Sequence, residues 1–308
     1  MIPTFPNFKL LEWKDYQEVE PFIFRFPPYS DFNFTSLWSW NTHERIKLSQ
    51  LNNNLVVLFT DYLTNNDFLS FIGDCDIVGT AEVLLKWSEG NIRSTCLKLL
   101  PEHVIDRLNS KELIAIPDED AHDYILSVPF LASLNEQRKS KIANNIRRFL
   151  KDYPNNYVAE SWLEEIDKQL YFDLFYEWAG NCNTVDTEKS NEFRAFKRHL
   201  QIADGRIKVF SLFVDDTLVA FDTIEFIKRE YATVHFGKTN NKYKGVFEYF
   251  QWREGQYLLD NGIRYLNIEQ DLGIPGLRFS KRKFKPCFFL KKFKISHAKY
   301  GNYQMVDT

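Results

Sequence analysis

The residue types able to do chemistry gather in one stretch, residues 263–286. A short apolar strand is expected there. It ends at Asn267, and two carboxylates follow, Glu269 and Asp271. Gly273, Pro275 and Gly276 then break the chain into a loop. A run of cations comes next: Arg278, Lys281, Arg282, Lys283 and Lys285. A carboxylate at a strand end can take a proton from an attacking amine or hydroxyl, and neighbouring charges tune the pKa this requires. Arg278 and Lys281 can hold a phosphate or a carboxylate. A further base candidate, His235, stands on a strand beside Phe236. Lys238, Lys242 and Lys244 lead up to Gly245 and Glu248, where a helix is expected, and a helix N-terminus favours anions. The plainer alternative is a solvated loop beside a structural strand histidine, because charge runs usually face water.

A chain of 308 residues has to position these groups, a length that suits about two domains of ~150 residues. The 44% hydrophobic share supplies a sizeable core, and 28 Phe and 15 Tyr make it rich in rings. A net charge of −3 and a pI near 6.1 exclude a general nucleic-acid coat protein. Charge is uneven, however. The basic stretch 278–294 holds eight bases and no acid, so a polyanion held locally stays open. Cys75, Cys96, Cys182 and Cys287 form no Cys-x-x-Cys pair, and the six histidines form no H-x-x-x-H. Neither a metal site nor a disulfide framework is expected. Residues 1–10 lack the long apolar core of a signal peptide, and no run approaches the roughly 18 apolar residues of a membrane span. A cytoplasmic location is expected.

Periodicity gives the elements. A helix is expected over 14–26, then an aromatic helix near 31–40, then a hairpin, 46–51 and 55–60, around Asn52, Asn53 and Asn54. A strand at 68–72, a helix at 77–87, strands near 96–100 and 113–116, and a short helix after Pro101 follow. Residues 130–151 read as one helix. Its apolar stripe is Ile142, Ile146, Phe149 and Leu150, and Arg138, Lys141, Asn145 and Arg148 share another face. That face, the basic helix 138–151, is either solvated or a phosphate-contacting ridge. Pro154 marks the expected boundary between domains 1–152 and 153–308. Beyond it come two helices, the first periodic from Trp162 to Trp178 and the second at 188–201. Strands at 206–214, 218–227 and 231–238, a helix at 243–260, and strands at 263 and 288–295 complete the order.

That order matches the GNAT (acyl-CoA N-acyltransferase) fold: a meander, a central helix and two last strands. The first half has a weaker form of it. The fold class expected is α+β, with tandem GNAT-like domains whose mixed, mostly antiparallel sheets are flanked by helices.

The segments Val234-His-Phe-Gly-Lys238, Gly245-Val-Phe-Glu248 and Leu266-Asn-Ile-Glu-Gln-Asp-Leu-Gly-Ile-Pro-Gly-Leu-Arg278 resemble the phosphatidylglycerol lysyltransferase C-terminal domain family. Residues 30–40 and the basic segment 139–149 resemble it too, so the likeness runs from about 15 to 296. It implies a bacterial transferase that takes an aminoacyl group from a tRNA and passes it to an amine or hydroxyl. The characterised relatives move lysine or alanine onto a lipid. One departure stands out: the family commonly has Arg where this chain has Ile268. An aminoacyl ester is already activated, so no cofactor is expected and the donor is an aminoacyl-tRNA. Acetyl-CoA ranks lower, because bulky Phe247 stands where a pyrophosphate cradle wants Gly or Ala. A non-catalytic ligand-binding protein of the same fold is the remaining alternative.

Overall fold

The computed structural model describes residues 1–61, 64–137, 140–180, 186–228 and 230–300, with backbone alone for 186–189. Most elements begin where side chains satisfy the backbone. After β1 (Lys9–Leu10) and α1 (Tyr16–Ile23), α2 (Phe34–Trp40) starts at Asn33, whose Oδ1 accepts the Ser36 N–H at 3.0 Å. The expected hairpin forms as β2 (Lys47–Leu51) and β3 (Asn54–Thr60), and its turn holds Asn52 and Asn53 at φ +51° and +61°. Asparagine tolerates that left-handed conformation better than most residues. β4 (Asp67–Ile72) precedes α3 (Ile77–Asn91), which Asp76 caps through the Gly79 N–H at 3.2 Å. Then come β5 (Cys96–Pro101), α4 (Glu102–Ile105) and β6 (Leu113–Pro117).

The next part departs from expectation. In place of one helix over 130–151 there are β7 (Asp123–Ser127), α5 (Val128–Ala132) and α6 (Lys141–Asp152). Pro129 sits in the first turn of α5, where its missing N–H costs nothing, and Ser127 caps it through the Phe130 N–H. β8 (Asn156–Trp162) takes Trp162 into a strand, so the following helix, α7 (Lys168–Gly180), starts later than its apolar period suggests. α8 (Asp186–His199), β9 (Ile207–Val214), β10 (Thr217–Lys228), β11 (Tyr231–Thr239), α9 (Val246–Asp260) and β12 (Tyr265–Asn267) follow as expected. The expected loop after Gly273 folds into a helix, α10 (Pro275–Arg282), because Pro275 presets its first turn. The expected last strand divides at Lys291 into β13 (Phe288–Leu290) and β14 (Lys292–His297).

Internal packing defines two compact units. One holds residues 1–123, 270–275 and the described residues from Phe289 on; the other holds 124–269 and 276–288. The chain therefore does not part at residue 152. α6 buries Ile146 and Phe149 in the second unit's core, and β14 pairs antiparallel with both β5 and β6 in the first. Contact, rather than chain order, sets the division.

The first unit has two antiparallel sheets, β1-β2-β3-β4 and β5-β14-β6, and a core around Val56, Leu69, Phe71, Leu84, Leu97 and Ile295. The second has a sheet ordered β13-β7-β12-β11-β10-β9-β8, with Phe149, Phe210, Leu212, Phe250 and Leu266 among its buried side chains.

A charged centre organises the first unit. Lys292 is fully buried, and its Nζ donates to Asp123 Oδ1 at 2.7 Å, to Ser30 Oγ at 3.1 Å and to Asp31. Gln270 joins through Oε1, which accepts the Ser30 hydroxyl at 2.7 Å. Burial works against the ammonium, but Asp123 and Asp31 outweigh it and raise its pKa. Lys292→Met should leave two aspartates buried without their cation and destabilise the protein by roughly 3–5 kcal/mol. Denaturant midpoints at neutral pH check this, and an unchanged midpoint would contradict it.

Candidate active site in the second unit

The site is built where two strands part. β11 and β12 pair in parallel through Tyr231 with Tyr265, Ala232 with Leu266 and Thr233 with Asn267. No later pair is made, while β11 stays paired to β10 as far as Thr239. Just past the last pair, β11 carries a bulge. Thr223 faces Phe236 and Ile224 faces Val234, so His235 is the extra residue. The chain leaving β12 turns through Glu269, held at φ +59°, a conformation that costs a non-glycine residue free energy. The buried Asn267 secures that turn by accepting the Glu269 N–H on Oδ1 at 2.7 Å.

His235 is buried between two carboxylates. Its Nε2 lies 2.9 Å from Glu225 Oε2 and its Nδ1 lies 3.7 Å from Glu269 Oε1. Arg206 stands 3.8 Å from the other oxygen of Glu225, and the His199 ring lies 5.4 Å from that of His235. Burial lowers the imidazole pKa, but the hydrogen bond to Glu225 and the charges of Glu225 and Glu269 outweigh it and lift the value to about 9. A value above neutrality favours the imidazolium over the free base expected of His235. What remains is a positive donor beside a carboxylate on a strained turn.

The other expected site residues scatter. Asp271 lies in the first unit, buried, with Oδ1 accepting the Gly273 N–H of its own turn at 2.9 Å. Arg278 is half-buried on α10, and Lys281 Nζ donates to the Ile268 carbonyl. Lys238 is buried with Nζ 2.6 Å from Glu192 and 3.9 Å above the Trp178 ring. Lys242 pairs with Glu177 at 2.6 Å. Arg148 is exposed and pairs with Asp152 at 3.2 Å. Arg138 and Lys139 of the basic helix, and Cys182, lie outside the described residues. The basic stretch 278–294 is also largely engaged: Lys283 pairs with Glu248, Lys291 with Glu102, Lys294 with Asp118, and Lys292 is the buried centre.

The start of α9 is closed. Gly245 caps it at φ +85°, and a Cβ there would stand 2.4 Å from the Asn145 carbonyl oxygen of α6. Glu248, in the first turn, accepts from Lys283 at 2.7 Å and from Asn145 Nδ2. Burial raises the Glu248 pKa, yet Lys283 and Asn145 prevail and lower it, so an anion already occupies this helix end.

On the α9 side of the sheet, Asp222 and Glu254 share a hydrogen bond and both accept from Gln251 Nε2 at 3.1 Å. Gly237 makes room for the pair: a Cβ there would meet Asp222 Oδ1 at 1.8 Å. Burial lifts Asp222 to about 7, and burial with the Asp222 charge lifts Glu254 well above the usual range. Sequence reading missed Glu225, Glu254 and Asp222. Their one visible signal is a charge set in an otherwise buried apolar strand or helix face.

An antiparallel run β8–β11, a central helix α9 and a parallel β12 that splays from β11 define a GNAT-like unit, an acyl-transferase class of fold. The chain matches the family model described as phosphatidylglycerol lysyltransferase, C-terminal, over residues 25–295, and it belongs to that family. It is similar to a conserved protein of unknown function from Bacteroides thetaiotaomicron VPI-5482, at 22% identity and TM-score 0.78, over 96% of this chain and 100% of that one. It is also similar to L-PGS from Bacillus licheniformis, at 12% identity and TM-score 0.62, over 96% of this chain and 93% of that one. A third neighbour is the C-terminal domain of a putative lysylphosphatidylglycerol synthetase from Agrobacterium fabrum, at 11% identity and TM-score 0.61, covering 92% and 91%. A comparison with curated proteins gave no match. The fold is the tandem GNAT-like α+β class expected from element order. No described helix is long and apolar enough to cross a membrane.

Two titrations test this geometry. NMR should show the His235 imidazole protonated through neutral pH, titrating near 9, with Glu225→Gln lowering that value. A histidine whose folded value lies above its ordinary ~6.5 lends stability that is complete below ~6.5 and lost as pH rises through about 9. A His235 that titrates near 6.5 would refute the arrangement. The Asp222–Glu254 pair has the opposite chemistry but the same sign: carboxyls raised on folding bind protons more tightly when folded. Stability should therefore fall as pH rises from about 4 toward about 7, and Glu254→Gln should flatten that fall. Denaturant midpoints across that range measure it, and equal slopes in both proteins would count against the shared proton.

Proposed function

We propose that this protein transfers an aminoacyl group from an aminoacyl-tRNA to an amine or hydroxyl acceptor. The observation that carries the reading is the His235 ring set between Glu225 and Glu269, beside the point where β11 and β12 part. Glu269 takes the proton of the attacking nucleophile as its oxygen or nitrogen adds to the ester carbonyl carbon. The positive charge of His235, kept by Glu225, acts through space on the negative charge that forms at the ester oxygen. Collapse breaks the bond to the terminal ribose oxygen of the tRNA, which takes back a proton. The family's description names phosphatidylglycerol, whose glycerol hydroxyl is the first acceptor to try. For the tRNA backbone, the exposed Lys141, Arg147, Arg148 and Lys151 of α6 supply phosphate contacts.

Acetyl-CoA ranks below a tRNA donor on two counts. Asn145 stands where a cofactor pyrophosphate would approach Gly245, and the Glu248 carboxylate repels anions there. A second reading, ligand binding without turnover, is favoured by one feature. Ile268, where the family commonly has Arg, packs against the apolar core and brings no forked cation.

Incubation with charged tRNA and phosphatidylglycerol or a cell extract should speed loss of the aminoacyl ester and yield a labelled product. Glu269→Gln should slow the transfer by roughly 10²-fold or more. No product from any charged tRNA would rule the transfer out. An acceptor bound equally well by the protein and by Glu269→Gln, without turnover in either, would establish the second reading.

A further inference from the structure

We propose that α10 is a docking helix that seats this protein on an anionic phospholipid bilayer. Phe279, on its outer face, is 77% exposed, more than any other large apolar side chain described in the second unit. Gly276, Phe279 and Arg282 are all exposed at spacings of three, which puts them on one stripe of the helix, and Lys285, also exposed, lies past the helix end at φ +52° with Nζ 5.8 Å from the Phe130 ring centroid. Away from that stripe the segment is engaged: Lys281 donates to the Ile268 carbonyl, and just past the helix Lys283 pairs with Glu248 and Phe284 is buried. The cations of this segment thus divide into inward ones that hold it in place and outward ones that flank a bare ring. No acid stands between Asp271 and Asp307 to offset them.

Charge and shape together select the occupant. An interfacial helix buries its apolar face at the acyl boundary and keeps Lys and Arg at headgroup level, which is the disposition of Phe279, Arg282 and Lys285. Single-stranded nucleic acid is instead met by successive aromatics on which bases stack, and here one ring stands alone. The exposed cations of α6 make a phosphate surface with no exposed ring. The docking rests on α10 itself; only its use, bringing a lipid acceptor within reach, rests on the transfer reading.

Sedimentation of the full chain with phosphatidylcholine vesicles that contain phosphatidylglycerol, against pure phosphatidylcholine, measures it directly. Binding is expected only to the anionic vesicles and should weaken with salt. Phe279→Ala should cost about tenfold in partitioning, and Arg282→Ala or Lys285→Ala about fivefold each. Because these side chains are exposed, the variants should keep the parent's circular dichroism and melting temperature. The proposal is overturned by absence of anionic-vesicle binding, or by Phe279→Asp binding as well as the parent. It is equally overturned if Phe279→Ala weakens binding to tRNA and leaves vesicle binding intact. Vesicle binding is read without turnover, so failure here and failure of the transfer reading are distinguishable.

Discussion

A protonated imidazole buried between two carboxylates is the interaction on which the candidate site depends. An isolated charge in that position would be costly, and neutral histidine would be the stable form. Glu225 and Glu269 reverse the balance, the first from within β10 and the second from the turn after β12. Both placements follow from backbone events. The bulge turns His235 out of register with β10, and β12 stops pairing with β11 after Asn267. Neither event alone gathers these groups; together they bring His235 between Glu225 and Glu269.

Charge elsewhere in the chain is used mainly to hold structure. Lys292 ties Ser30, Asp31 and Asp123 at the heart of the first unit. Lys283 and Asn145 clamp Glu248 at the start of α9. Ion pairs of this kind contribute little at a surface and much when buried, because removing one partner leaves the other charge without solvent. A basic run therefore does not become a polyanion site through its count of cations. What faces solvent decides.

The same logic underlies the proposed preference for a donor other than CoA. A helix N-terminus is a ready anion site only while its amides and its approach are open. Here Gly245 lies against the Asn145 carbonyl, and Glu248 supplies the anion. The aminoacyl ester proposed as donor does not need that cradle.

How much was legible in the sequence depends on the range of the forces involved. Alternating strands, the Asn52–Asn53 turn and the order of elements were readable, because they are set by neighbours within a few residues. So were Glu269 and His235 as residue types suited to chemistry. The break of 130–151 into α5 and α6, the α10 helix, the return of β14 to the first unit and the neutralisation of Lys281, Lys283 and Lys292 were not. Each depends on partners far away in the chain. Glu225 was invisible as a site residue for the same reason, and Asp271 looked available until its own turn closed on it. Local sequence determined which side chains exist and the periods they follow. Only tertiary packing decided which charges are desolvated and paired, and that sets a histidine's proton and a lysine's freedom.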